Sequence, residues 1–270
     1  MNINGVLKCV SLSVLVAGCQ TPRSAVRQPV PADLVLYYDF NEPITTSVFD
    51  NSPGQHHGIP HQVSSTKPGV AGRAGWFDGI QSYVEVPDMQ LPTEAGEFTV
   101  MAWVQFAALG SAPGSPSGPC GGVGCDQSII NQMLATGVGI GPNTAGWRLL
   151  KQADNRFWFC LGMPYNGCQP NAPTTVRSTS VAETGHWYHV TAVKSAGAIA
   201  LYVNGELEQS KMLTVPVATG MAPLLIGYYP HESYMYGWID EVRLYRRALK
   251  PEEITRQFQA EFKSLRVNAQ

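Results

Sequence analysis

Residues 237–249 read GWIDEVRLYRRAL, a run that alternates like a strand and is followed by Lys250 and then a proline. Successive side chains on a strand point to opposite faces. Strict alternation puts Trp238, Asp240, Val242 and Leu244 on one face, and Ile239, Glu241, Arg243 and Tyr245 on the other. The first set reads as the buried face and the second as the solvent side. Asp240 then stands out, because a carboxylate on an apolar face is costly unless paired or metal-bound. Past this strand, residues 251–262 (PEEITRQFQAEF) form the only helical stretch, with Pro251 in the first turn and two glutamates near the positive end of the dipole.

The rest of the chain reads as strands and turns. Residues 34–40, 75–79, 83–86, 147–151, 156–160, 186–194, 198–203, 223–228 and 236–245 are strand-like. Residues 98–106 (FTVMAWVQF) are apolar on both faces, which suits the middle of a stacked sheet. Asn204-Gly205 between strand residues is a strong hairpin signal. No repeat and no second hydrophobic unit is present, so one all-β domain is expected over residues 34–262, with a tail at 263–270.

Composition points the same way. The 270 residues include 27 Gly and 20 Pro, with 10% aromatic and 14% charged residues and a net charge of −2. Many short strands joined by turns fit that mix. No basic face of the kind nucleic acid needs is implied.

The N-terminus has its own pattern. Residues 1–8 carry one positive charge, residues 10–17 are apolar, and Val16-Ala17-Gly18-Cys19 follows. The apolar run is too short to span a bilayer, which needs roughly 20 residues, and it reads as a signal-peptide core. The motif resembles the lipobox of bacterial lipoproteins. That implies a signal peptide over residues 1–18, a lipid (palmitate-type) anchor on Cys19 and, because Gln20 is not Asp, the outer membrane. A plain secretory signal, giving a periplasmic or secreted protein, is the alternative. Residues 19–33, with the Pro-rich stretch 22–31, read as an extended tether.

There are six cysteines. Setting aside Cys9 in the signal and Cys19, four remain: Cys120, Cys125, Cys160 and Cys168. An even remainder in an exported chain suggests disulfides, in any of three pairings. Proximity favours Cys120–Cys125 and Cys160–Cys168. A zinc site at C-x4-C and C-x7-C spacing is the rival.

Taken in order, YYDFNE, DNSPGQHHG, GWFDGIQSYVEV, FTVMAWVQF, GHWYHVTAVKSAGAIALYVNGEL and LLIGYYPHESYMYGWIDEVRLYRRALKPEEI resemble the laminin-G-like jelly roll of the concanavalin A-like lectin/glucanase superfamily. The resemblance implies a two-sheet antiparallel sandwich with a short C-terminal helix. One departure is Lys250, where the family has a Ser or Thr cap, worth roughly 1 kcal/mol. The family also implies a structural Ca2+ held by Asp240, with Asp39 and Gly79 nearby; calcium takes such oxygen ligands. Asp240 could instead accept backbone N–H bonds or pair with an arginine.

The E-x-D-x-E carboxylate arrangement of the superfamily's glucanases is missing. Asp240 and Glu241 are adjacent, Glu252 and Glu253 open the helix, and Glu206 and Glu208 flank a hairpin tip where both are expected in solvent. His186 and His189 lie on opposite faces of a strand. A non-catalytic binding module is therefore expected. Residues 228–236 form a tyrosine-rich loop, and Tyr228, Tyr229, His231 and Tyr234 are the candidate glycan contacts, since aromatic rings stack on sugars. Core or rim packing of these rings is the bland alternative. An envelope protein as partner is the second reading, and a glycoside hydrolase with an unfamiliar site the third.

Overall fold

The computed structural model describes residues 31–87, 89, 91, 96–115, 126–134, 145–162, 168–217, 222–230 and 233–268. The signal stretch, Cys19, Cys120, Cys125 and His231 lie outside the described residues.

Two antiparallel sheets face each other, as expected. The first contains β1 (Leu34–Tyr38), β3 (Ser64–Pro68), β4 (Arg73–Asp78), β6 (Phe98–Phe106), β11 (Trp187–Lys194), β12 (Ala198–Val203), β13 (Glu206–Met212) and β17 (Tyr236–Tyr245). Its order is β13-β12-β11-β6-β17-β4-β3, with β1 also paired to β17. The second contains β2 (Ile59–His61), β5 (Tyr83–Val86), β7 (Gln127–Leu134), β8 (Ala145–Lys151), β9 (Arg156–Leu161), β10 (Thr175–Val181) and β14 (Leu224–Ile226). Its order is β10-β9-β8-β7-β14-β5-β2. A small hairpin of β15 (Tyr228–Tyr229) and β16 (Ser233–Tyr234) stands where the sequence suggested a loop, and α1 (Pro251–Asn268) closes the chain.

The doubly apolar β6 sits mid-sheet, and all of its residues are buried. Phe98, Val100, Ala102, Val104 and Phe106 face the inter-sheet core, which also holds Val84, Ile226, Ile130, Leu149, Phe159 and Val176 of the opposing sheet. On its other face, Met101 packs with Tyr245, Leu249 and Ile254 under α1. The helix runs past the expected end at residue 262 to Asn268, since no Gly or Pro interrupts that stretch. The missing Ser/Thr cap is replaced in part. The Lys250 N–H donates to Glu253 Oε2 at 2.9 Å, half of a capping box. Arg247 grips the same carboxylate with two 2.7 Å bonds.

Strict alternation fails in β17. Pairing with β6 slips between Asp240 and Arg243, and Glu241 adopts φ 53°. This is a β-bulge, which inserts one extra residue and reverses the faces beyond it. Ile239, Val242 and Leu244 therefore share the core, while Trp238 stays partly exposed on the outer side. The supposed solvent-side residues Ile239, Glu241, Arg243 and Tyr245 are all buried.

Beneath α1 lies a buried ionic cluster. Arg243 bridges Glu241, at 2.5 Å, and Glu261. Trp103 Nε1 donates to Glu261 at 2.6 Å, and Tyr37 donates to Glu241 at 3.0 Å. His189 is fully buried beside Glu261, at 3.9 Å. Burial, with Glu261 nearby, pushes the Glu241 carboxyl up to about 7, and burial pulls His189 down to about 4. The two act in opposite senses. Glu241, raised in the fold, contributes stability that is present below its unfolded value and lost as pH climbs through about 7. His189, depressed in the fold, contributes stability that is present above its unfolded value and lost as pH falls through about 4. In Glu241→Gln only the first contribution disappears. Urea unfolding should therefore show a larger advantage of wild type over this variant at acidic than at alkaline pH. An equal gap across that range would show that Glu241 does not titrate there.

Candidate functional site

The sequence-named tyrosines are brought to one surface, but not alone. Gly227 interrupts the strand after β14 with φ +83°, and a Cβ there would lie 2.3 Å from the Phe77 ring. Only glycine turns the chain so closely past that ring. The β15–β16 hairpin then folds over the outer face of the second sheet. Asn131 Nδ2 donates to the Tyr228 carbonyl at 2.6 Å, Arg148 donates to Ser233 Oγ at 2.5 Å, and its guanidinium lies 4.1 Å from the centre of the Tyr229 ring. The Cys160–Cys168 disulfide, one of the expected pairs, is formed. Both of its cysteines pack with Tyr229, Trp158 and Met133 in one apolar cluster.

These contacts divide the candidates. Tyr229 is 4% exposed and serves packing. Tyr228 and Tyr234 are partly exposed and stack on each other at 4.3 Å. The row continues through Tyr83 of β5, 5.0 Å from Tyr228, to His61 of β2, stacked on Tyr83 at 4.0 Å and 8°. Glu85 stands 3.7 Å from His61 Nε2. The result is a row of four rings, His61–Tyr83–Tyr228–Tyr234, with a carboxylate at one end. Burial and then the neighbouring Glu85 raise the Tyr83 phenol; burial and then Tyr228 raise that of Tyr234. Both therefore remain hydroxyl donors at neutral pH. Sequence reasoning missed Tyr83 and His61. The outward position of Tyr83 in the alternating YVEV of β5 was the available signal.

A second aromatic group lies on the outer face of the other sheet. Trp76 and Trp238 sit opposite each other on β4 and β17, with ring centres 4.4 Å apart, and Tyr236 contacts Trp76 at 5.7 Å.

The residues named for calcium do not form an oxygen cage. Asp240 is fully buried, and its carboxylate accepts N–H bonds from Val70 at 2.7 Å, Ala71 at 3.3 Å and Glu241 at 2.8 Å. The chain passes so close that a Cβ on Gly69 would lie 2.4 Å from Asp240 Oδ2. Three N–H hydrogens aimed at a carboxylate stand where a cation would need lone pairs. Gly79 packs instead against Tyr236, roughly 13 Å along β17 from Asp240 at the usual strand rise. Asp39 accepts from the Asn41 N–H at 3.2 Å. These donors do not fit calcium at Asp240; they match the alternative of backbone N–H bonds. Among the described residues, no group of three or more His, Cys, Asp or Glu is placed to hold a metal.

Of the carboxylates and histidines considered for catalysis, Glu241 and His189 join the buried cluster under α1, and Asp240 is tied to backbone N–H groups. Glu208, expected in solvent, accepts the Thr179 N–H at 2.9 Å and the hydroxyls of Thr179 and Ser180. His189 is buried under α1, whereas His186 is exposed beside Glu183. No helix among the described residues is long and apolar enough to cross a membrane.

Among solved structures, the chain is similar to domain 4 of AbnA, a GH43 extracellular arabinanase from Geobacillus stearothermophilus, in complex with arabinotriose. Identity is 20%, coverage 83% of this chain and 97% of that one, and the TM-score 0.55. It is also similar to the ligand binding domain of botulinum neurotoxin serotype D in complex with N-acetylneuraminic acid (15%, 85% and 51%, TM-score 0.55). A third similar structure is the binding domain of botulinum neurotoxin DC in complex with rat synaptotagmin II (13%, 85% and 52%, TM-score 0.54). This chain spans about half the length of the toxin domains, and at these identities the likeness is one of fold. A search of curated proteins finds no match. A family model described as the concanavalin A-like lectin/glucanases superfamily matches residues 78–255. The two-sheet sandwich and the family match agree, and the chain belongs to the concanavalin A-like lectin/glucanase superfamily.

Proposed function

We propose that this chain is a non-catalytic glycan-binding module, with the row His61–Tyr83–Tyr228–Tyr234 as its contact surface. The carrying observation is the continuous stacking of these partly exposed rings. Rings that hold one another in place lose little freedom when a ligand arrives. Each tyrosine joins an apolar body to a hydroxyl, and Glu85 adds an acceptor for sugar hydroxyls. The arabinotriose and N-acetylneuraminic acid complexes of fold neighbours support a saccharide ligand. The synaptotagmin complex supports the second reading, a protein partner. The N-terminal motif extends the proposal to a lipoprotein anchored through Cys19 at the outer membrane, which radiolabelled palmitate incorporation lost in Cys19→Ser would test.

A polysaccharide panel in affinity electrophoresis tests the site. Tyr83→Ala and Tyr228→Ala should each weaken retention at least about tenfold, the loss of a central aromatic contact. Trp76→Ala, on the opposite face, should leave it unchanged. Retention lost in Trp76→Ala but kept in Tyr83→Ala would move the glycan to the other sheet. A panel with no retained polysaccharide would remove the glycan reading and favour the protein partner.

A further inference from the structure

Far from the tyrosine row, the free edges of the two sheets meet. β10 ends the second sheet and β13 ends the first. Side chains of β13 satisfy the open edge of β10: Gln209 Oε1 accepts the Arg177 N–H at 2.8 Å, and Glu208 accepts that of Thr179 at 2.9 Å. This blunts an edge that would otherwise pair with another chain. It also leaves a groove of about 540 Å³ lined by Arg156, Arg177, Ser178, Thr179, Glu208 and Gln209.

The charges in this groove are unequally spent. Arg156 donates to the Ser178 carbonyl at 3.2 Å and lies 3.9 Å from Asp154. The Glu208 carboxylate is taken up by Thr179 and Ser180; burial raises it, but the Ser180 and Thr179 donors outweigh that and hold it below the usual range. It forms no ion pair with a cation among the described residues. Arg177 is exposed, and its guanidinium has no acceptor among the described residues. Lys211 stands close by, donating to the Ala172 carbonyl at 3.1 Å. Burial, and then the like charge of Arg177, hold Lys211 below the ordinary lysine range. Lys211 lies outside the groove lining, two residues along β13 from Gln209, and an exposed guanidinium without an acceptor, with this second cation beside the groove, favours an anion. Arg177 offers the fork geometry that binds a carboxylate through two N–H groups.

We infer that the β10–β13 groove is a second binding site, which takes a carboxylate-bearing saccharide with its acid on Arg177, Lys211 adding positive charge from beside the groove. A groove of this size accommodates a ligand of one or a few sugar rings. The amide N–H groups of Gln209, which have no acceptor among the described residues, would meet sugar hydroxyls.

Calorimetry of the full chain with trigalacturonic acid, the neutral galactotriose and inorganic phosphate tests this at low salt. Trigalacturonic acid should bind and the neutral trisaccharide should bind this groove far less. Arg177→Gln should weaken the acid at least about tenfold with an unchanged thermal midpoint, and Lys211→Gln several-fold. Tyr83→Ala should leave that affinity intact, so the groove and the tyrosine row fail or stand separately. Absence of binding, or binding that ignores Arg177→Gln, overturns the groove site. Phosphate binding as tightly as the trisaccharide, with the same dependence on Arg177, overturns the saccharide and leaves a plain anion site.

Discussion

Glu261→Ala is expected to destabilise the fold by about 3–5 kcal/mol, the cost of breaking a buried ion pair from one side. Arg243 is 8% exposed and Glu261 6% exposed, so the guanidinium left behind cannot reach water without moving α1. The Trp103 indole N–H, bonded to Glu261 at 2.6 Å, loses its acceptor too. Phe258 stacks on Trp103 at 5.6 Å, so the loss passes to the helix contact as well. Thermal unfolding should show a midpoint lowered by roughly 6–20 °C for a domain of this size. Removing the cluster as a whole is a different matter. Glu241→Leu, Arg243→Met and Glu261→Leu together replace three desolvated charges with apolar groups, and such replacements are often neutral or stabilising. The triple variant should therefore be more stable than Glu261→Ala alone. A single-variant loss below about 1 kcal/mol would show that Glu241 neutralises Arg243 unaided.

The second large effect is at Asp240. Asp240→Ala strips the acceptor from the N–H groups of Val70, Ala71 and Glu241 at once. Burial, and then the Glu241 charge, raise the Asp240 carboxyl well above the usual range, so part of its interaction energy is already spent on desolvation. The loss of these bonds still dominates, because a buried donor deprived of its acceptor costs roughly 1–3 kcal/mol. A net loss of about 3 kcal/mol is expected in urea unfolding. The loss should be the same with calcium and with a chelator, since the donors around this carboxylate are N–H groups. A wild-type midpoint that rises with calcium and no longer does so in Asp240→Ala would return the metal to this position.

The sandwich was legible because its decisive signals are local. The nine-residue β6 is apolar on both faces and needs cover on both. Asn204 and Gly205 take φ 52° and 78°, as a tight hairpin demands. Cys160 and Cys168 are close enough in sequence for their pairing to be the simplest choice. Pro251 and the two glutamates mark a helix start whatever lies around them.

The site was only half legible, because its pieces meet through pairing. β5 bonds to both β2 and β14, and this places Tyr83 beside Tyr228 and His61 beside Tyr83. Nothing in the spacing of those residues along the chain encodes that order. The faces of β17 were misassigned for a related reason. Period-2 alternation assumes a regular ladder, and the left-handed turn at Glu241 breaks it where Asp240 has to meet the 69–71 turn. The sequence by itself determined most of the strand segments, though not β2, β3, β7 or β10, together with the helical stretch and the need for two sheets to cover β6, since these follow from local propensity and burial. Only the tertiary structure decided which rings form one row, what Asp240 binds and that the Arg177 guanidinium in the β10–β13 groove has no acceptor among the described residues, since those depend on non-local register between strands far apart in the chain.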